Sequence, residues 1–175
     1  MDAVIETELL ILRKLTLDDL QGLNRILSDK ETMAYYPKPF DLDETRDWIV
    51  WNIENYRKYG FGLWAVILKE TNQFLGDCGI TMQEILGSLA PEIGYHIDKR
   101  FWKKGYATQA ASACLRYAFD VAGFDEVYSY QKYTNIASRR VAEKMGMTLR
   151  KEYEDEINTK TSVYSITKAE FYSIT

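Results

Sequence analysis

Leucine and isoleucine crowd residues 7–15, TELLILRKL, in the short dense run that a strand requires. From Thr16 the spacing changes. Leu20, Leu23 and Leu27 recur at intervals of three and four through TLDDLQGLNRILSD, which predicts a helix with one apolar face. Thr16 and Asp19 make a capping box at its start. Two prolines in YYPKPF (35–40) break the pattern, and Asp41 then caps a second helix, DETRDWIVWNIENYRKYG, ending near Gly60. Strand-like runs follow at 62–70, 74–82 and 91–98, the first two joined by a tight turn at Thr71 and Asn72. Between Gly105 and Ala122 the residues Ala107, Ala110, Ala111, Cys114, Ala118 and Phe119 fall at helical spacing, and Gly123 stops the run. DEVYSYQKY (125–133) predicts a strand. NIASRRVAEKMGM (135–147) predicts a short helix with Asn135 at its N-cap, and residues 149–157 and 162–171 a closing pair of strands.

Strands and helices interleave without repeats, low-complexity tracts or a linker, so the 175 residues are expected to form one α/β domain. Composition changes this picture little. No apolar run approaches the roughly 18–20 residues of a membrane span, and the N-terminus, MDAVIETELLILRK, puts acids before its apolar stretch, unlike a secretory leader. The expected location is the cytoplasm. Cys78 and Cys114 are too few for a disulfide framework, and one histidine excludes a His-rich metal site. No metal is expected. A net charge of −4 argues against nucleic-acid binding, which wants a basic surface.

Against that acidic background, DKRFWKKG places Lys99, Arg100, Lys103, Lys104 and Gly105 at the mouth of the alanine-rich helix. The first N–H groups of a helix lack intrahelical partners and carry the positive end of its dipole, so an anion can sit there if no side chain blocks it. Gly105 clears the approach, and a polyphosphate ligand is the reading that uses all five residues. The plain alternative is a solvated turn capped by glycine. The spacing matches neither the GxxxxGK[ST] loop nor GxGxxG, which sets nucleotide kinases and Rossmann dehydrogenases aside.

Almost the whole length of the chain resembles the GNAT superfamily of acyl-CoA-dependent N-acetyltransferases, and within it the branch of ribosomal-protein N-terminal acetyltransferases. Three stretches carry the likeness. TELLILRKLTLDD opens as that branch opens. Trp102, Lys104, Gly105, Tyr106, Ala107, Thr108 and Ala110 match its W-x-K-G-Y-A-T-E-A, with Gln109 in place of Glu. Asn135, Ser138, Arg140, Val141, Glu143, Lys144 and Gly146 match its N-x-x-S-x-R-V-x-E-K-x-G. The resemblance implies a single N-acetyltransferase domain over 1–175, with a mixed, mostly antiparallel twisted sheet flanked by helices and splayed at an acetyl-CoA cleft. It implies that the backbone of Lys103, Lys104, Gly105, Tyr106, Ala107 and Thr108 cradles the pyrophosphate and that the backbone around Ile97 pairs with the pantetheine arm. Asn135 and Ser138 would stand near the thioester, with Lys104 and Lys144 at the adenosine phosphates and a bulge at Gly94.

The implied reaction is direct attack of a neutral amine on the thioester in a ternary complex. An α-amine, with pKa near 8, is partly neutral at pH 7, whereas a lysine amine near 10.4 is not. The expected acceptor is therefore the N-terminal amine of a protein or peptide. The alternatives are a small-molecule amine (aminoglycoside, polyamine or amino acid) and a catalytically silent CoA-binding protein. Glu92 is the candidate base, acting through water. Ser138 is the first candidate for the acid that protonates the thiolate, and Tyr133 the second. Alternation along EIGYHID puts His96 on the face of Glu92, but a bulge at Gly94 would scramble that parity, so His96 is read as a packed residue. Tyr36 and Trp64 are the candidates to line the acceptor cleft, in a monomer or homodimer.

Overall fold

The computed structural model describes residues 2–175. Strands β1 (Ala3–Glu6), β2 (Leu10–Lys14), β3 (Leu63–Leu68), β4 (Gln73–Ile85), β5 (Ser88–Ile97), β6 (Glu126–Lys132), β7 (Thr148–Asp155) and β8 (Thr159–Thr167) form one sheet in the order β1-β2-β3-β4-β5-β6-β8-β7. The helices are α1 (Leu20–Leu27), α2 (Leu42–Tyr59), α3 (Tyr106–Asp120), α4 (Ile136–Lys144) and α5 (Lys168–Ile174). No helix among the described residues is long and apolar enough to cross a membrane.

β3 lies inside the sheet and is buried along its whole length. Its alternation divides the core between the two faces. Trp64, Val66 and Leu68 pack with Leu10, Leu12 and the α3 residues Ala111, Cys114, Leu115 and Ala118. Ala65 and Ile67 pack on the other face with Leu23 and Leu27 of α1 and Ile49 of α2. The two cysteines meet in the first of these layers, their sulfurs 3.7 Å apart.

Four local readings change. The 7–15 run is entered by a separate strand, β1, paired antiparallel with β2; its sequence AVIE is too short and too exposed to announce itself. α1 begins only at Leu20, after a 3₁₀ turn over Leu17–Asp19, where Asp19 accepts from the Thr16 N–H and is clamped by both terminal nitrogens of Arg13. The runs at 74–82 and 91–98 are the arms of one longer hairpin that turns at Leu86 and Gly87, both with positive φ (53° and 82°), as a two-residue primed turn demands. The last run stops being a strand at Thr167, whose capping box with Glu170 opens α5.

Pro91 sits inside β5 at no cost to the ladder. The Asp98 N–H donates to Leu75 O at 2.8 Å, and the alternation of an antiparallel pair then turns the backbone groups of Pro91, Ile93, Tyr95 and Ile97 away from β4. The β4–β5 register runs through Gly79↔Gly94 without a shift, so the expected bulge at Gly94 is absent from this pair and the parity of EIGYHID survives.

At Gly79 the approach of β3 is close enough to forbid any side chain. A Cβ there would lie 2.0 Å from the carbonyl oxygen of Gly62 and 2.7 Å from the Cα of Leu63. Gly79→Ala is expected to cost at least about 2 kcal/mol, because backbone rather than a flexible side chain must move. A thermal melt or denaturant titration reads it; an unchanged midpoint would contradict the packing.

Candidate active site

β5 and β6 run parallel and pair at one position only, Glu92↔Tyr128. Past that point they separate, because β6 follows its antiparallel partner β8 over seven successive residue pairs while β5 stays with β4. The gap opens toward the C-terminal ends of both strands. The cleft-side backbone groups of Ile93, Tyr95 and Ile97 line it on one side. The Ile97 carbonyl already accepts the Trp102 indole N–H at 2.6 Å, which pins the following turn to the strand.

That turn is shaped by its own ion pairs. Asp98 accepts from the Arg100 N–H and from its guanidinium, which holds the carboxyl below the usual carboxylate range. Lys99 reaches across to Asp29 (2.7 Å) and Glu31 (3.4 Å). Two of the four basic residues are thus spent on folding the turn. Lys103 and Lys104 have no carboxylate within ion-pair distance among the described residues, and the Lys104 ammonium lies 5.5 Å over the Phe101 ring.

Lys103 (φ 61°) and Gly105 (φ 82°) are both left-handed, a backbone path that turns successive N–H groups inward. α3 starts at Gly105 with no side-chain cap, and its first internal bond is Gln109 N–H to Gly105 O at 2.9 Å. The N–H groups of residues 103–108 find no acceptor in the described chain. A Cβ built at Gly105 meets nothing within 4 Å, so the approach to them is open. This is the cradle a pyrophosphate fits. Gln109 takes no part, since its side-chain oxygen accepts from the Thr7 hydroxyl and the Leu9 N–H.

At the vertex of the cleft, Glu92 accepts from the Thr81 hydroxyl at 3.0 Å across the β4–β5 pair. Burial pushes its carboxyl up to about 8, with Thr81 opposing the shift. Tyr95 and Tyr130 are each raised to about 12, by burial first and in part by the charge of Glu92. Glu92 leans back over Gly94, where a Cβ would sit 3.5 Å from Oε2.

On the α4 side, Asn135 caps the helix by accepting from the Ser138 N–H at 3.2 Å. The Ser138 hydroxyl lies 3.1 Å from that of Tyr95, which projects from β5 on the face opposite Glu92. Tyr133 is 37% exposed, with Lys160 5.4 Å over its ring and, among the described residues, no partner for its hydroxyl. Lys144 stands at the far end of α4, in a shallow hollow with Ser112, Arg116 and Phe171.

The two residues expected at the acceptor wall part company. Trp64 is fully buried, packed edge-on to Tyr117 at 5.0 Å in the core beneath α3, so it lines no open wall. Tyr36 is 43% exposed, and its hydroxyl lies 2.7 Å from His96 Nε2. His96 Nδ1 lies 2.7 Å from the buried Asp77, which also accepts the Trp48 indole N–H at 2.9 Å. The loop carrying Tyr36 is stitched across the cleft mouth by Tyr35, whose hydroxyl donates to Thr134 O at 3.4 Å. Thr81, Tyr95, Tyr130 and the Asp77–His96 pair went unread in the sequence. The one available signal was the alternation of EIGYHID, which put His96 with Glu92 and Tyr95 opposite.

A sheet splayed between two parallel strands, with an uncapped, glycine-started helix at the mouth of the splay, defines an acyl-CoA-dependent acetyltransferase. The chain belongs to the GNAT acetyltransferase superfamily: the model of the acetyltransferase (GNAT) domain matches residues 10–148. The uncharacterized protein YkkB of Bacillus subtilis is 43% identical over 122 residues, covering 70% of this chain and 71% of that protein. The crystal structure of a GNAT-family acetyltransferase from Bacillus anthracis superposes with a TM-score of 0.81 at 27% identity, over 94% of this chain and 98% of that one. Two remoter structures share the fold alone. One is a ribosomal L7/L12 α-N-protein acetyltransferase in complex with coenzyme A (18% identical, TM-score 0.79, 95% and 98% covered). The other is the spermidine N-acetyltransferase of Vibrio cholerae (17%, 0.78, 95% and 99%). The protein is a GNAT N-acetyltransferase, and enzymes of this fold use acetyl-CoA.

Proposed function

We propose that the enzyme acetylates the α-amine of a protein or peptide N-terminus. The observation that carries this is the setting of Glu92: a single raised carboxyl at the vertex of the cleft, hydrogen-bonded to the Thr81 hydroxyl. A base near 8 matches an α-amine near 8, whereas the amines of lysine or a polyamine sit two units higher. Recognition of a polyamine also calls for several carboxylates to pair with its several ammoniums. Glu92 has the Thr81 hydroxyl, rather than a second carboxylate, as its hydrogen-bond partner.

The residues take up distinct tasks in this reading. Bound acetyl-CoA supplies a thioester whose carbonyl is open to a neutral amine. The N–H groups of residues 103–108 hold its pyrophosphate, aided by Lys103 and Lys104. The cleft-side N–H groups of β5 are the donors available to the carbonyl oxygen. Glu92 receives the proton of the amine. Ser138, backed by Tyr95, is the hydroxyl placed on the α4 side to return a proton to sulfur, and Tyr133 is the second candidate.

The acceptor is tested with a free-N-terminus peptide, the same peptide blocked at its N-terminus but carrying a lysine, and spermidine, at equal acetyl-CoA. The free α-amine is expected to give a kcat/KM at least about tenfold above either competitor, the discrimination a matched base and one well-placed hydrogen bond provide. Faster turnover of spermidine would overturn the α-amine reading.

A further inference from the structure

The Asp77–His96–Tyr36 chain has a direction, and the direction is set by what each member is able to donate. An ionised carboxylate only accepts, and an indole N–H only donates. Trp48 gives its proton to Asp77 Oδ2 at 2.9 Å, and Oδ1 faces His96 Nδ1 at 2.7 Å. In a neutral imidazole one nitrogen donates and the other accepts. The proton of that ring therefore stands on Nδ1, pointed at Asp77, and Nε2 is an acceptor. Among the described residues the group at Nε2 is the Tyr36 hydroxyl, 2.7 Å away, which must give up its one proton to it.

From this we infer that Asp77 and His96 are positioning residues that hold Tyr36 as an obligate hydrogen-bond acceptor for the N–H of the incoming amine. With its proton committed to His96, the Tyr36 oxygen presents only lone pairs to the acceptor side. A primary amine has N–H to offer, and an alcohol or thiol that approached through a lone pair would find none in return. The placement suits the role. His96 and Glu92 share a face of β5 with the bare Gly94 between them. Asp77 is fully buried, and the ring of His96 is gripped by Tyr36 (centroids 5.3 Å) and edge-on by Trp48 (5.8 Å), so the array is rigid before the amine arrives. The inference rests on the enzyme reading for the amine, but not on which amine it is.

Asp77→Asn tests the direction with almost no change of shape. Trp48 still donates, so it takes the new amide's oxygen, and the amide NH₂ is left facing Nδ1. The ring must then move its proton to Nε2, Tyr36 must accept from it, and the Tyr36 hydroxyl turns its proton to the cleft. Because His96 is the sole histidine, ¹⁵N-histidine labelling reports this one ring. At pH 9 the wild-type spectrum is expected to show Nδ1 protonated and Nε2 unprotonated, and Asp77→Asn to reverse the two. On a peptide with a free N-terminus, Asp77→Asn and Tyr36→Phe should each lower kcat/KM roughly 10- to 100-fold, the range of one hydrogen bond to a polar reacting group. The double variant should be no slower than Tyr36→Phe alone, because the whole effect runs through that hydroxyl. CoA affinity should be unchanged in all three.

A wild-type ring protonated on Nε2, or on both nitrogens, overturns the proposal without any assay, even if Asp77→Asn fails to fold. Losses that add in the double variant would reduce Asp77 and His96 to structural residues and also overturn it. If spermidine is turned over and the peptide is not, the α-amine reading falls. The same ratios are then taken on spermidine, so the two failures remain distinct.

Discussion

Gly105→Glu is expected to lower CoA affinity at least about 100-fold in a protein that still folds. The fold survives because a side chain at Gly105 points into open space, with nothing within 4 Å of its Cβ. The left-handed φ of 82° adds strain of only about 1–2 kcal/mol for a residue other than glycine. Binding fails for two reasons. The new carboxylate lies among the free N–H groups of residues 106–108 and can accept from them as an N-cap would, and it repels the phosphates that would otherwise take its place. Loss of one charged multi-point anion contact is worth a few kcal/mol, hence the 100-fold figure. Gly105→Ala separates the causes, since it carries the strain without the charge and should bind far better than the glutamate. Calorimetric titration with acetyl-CoA decides it. Equal affinity in wild type and folded Gly105→Glu would remove the phosphate cradle from residues 103–108.

Glu92→Gln is expected to lower kcat about 100-fold or more while leaving CoA affinity intact, the usual loss when a positioned general base goes. Its signature is in the pH profile. Burial favours the uncharged acid and raises Glu92 to about 8, so the form able to take a proton accumulates only as pH climbs through that value. Wild-type rate should therefore rise steeply between about pH 7 and 9, with amine and base both deprotonating, and the glutamine variant should keep only the shallower single-proton rise of the α-amine. Stability carries the opposite sign. An acid whose pKa is higher in the folded state than in the unfolded state favours folding fully below its unfolded value, and that contribution is lost as pH rises through the folded value. The variant should therefore gain in melting temperature over wild type at pH 9 and not at pH 4. Thr81 supplies a further check: without its hydroxyl the shift should grow, so Thr81→Val should move the rising limb to still higher pH. A Glu92→Gln enzyme with wild-type rates at every pH would clear the residue of any proton transfer.

What could be read from sequence follows the range of the interactions involved. α2, α3 and α4 were legible because their signals are local: Asp41 with Glu44, Gly105 before an alanine-rich face, Asn135 capping Ser138. α5 was hidden although its capping box, Thr167 with Glu170, is as good as that of α2, because the strand before it runs into the box without a break. The β4–β5 hairpin was shortened because its turn, Leu86–Gly87, lacks the Asn-Gly or Asp-Gly that usually marks one. Trp64 and Tyr36 looked alike as aromatics in the first half of the chain. One is entirely core and the other carries a hydroxyl to His96, a difference that depends on which face of the sheet each meets.

The sequence by itself determined the family and the uncapped, glycine-started turn before α3, since each of these is written in residues a few positions apart whose geometry a single turn or helix enforces. The tertiary structure alone decided the chemistry at the vertex. Thr81 meets Glu92 and Asp77 meets His96 only because the β4–β5 register sets them opposite one another, and Tyr36 reaches His96 from 60 positions away. A shift of one residue in that register would turn every one of these side chains to the other face, and no local pattern records where two strands lock.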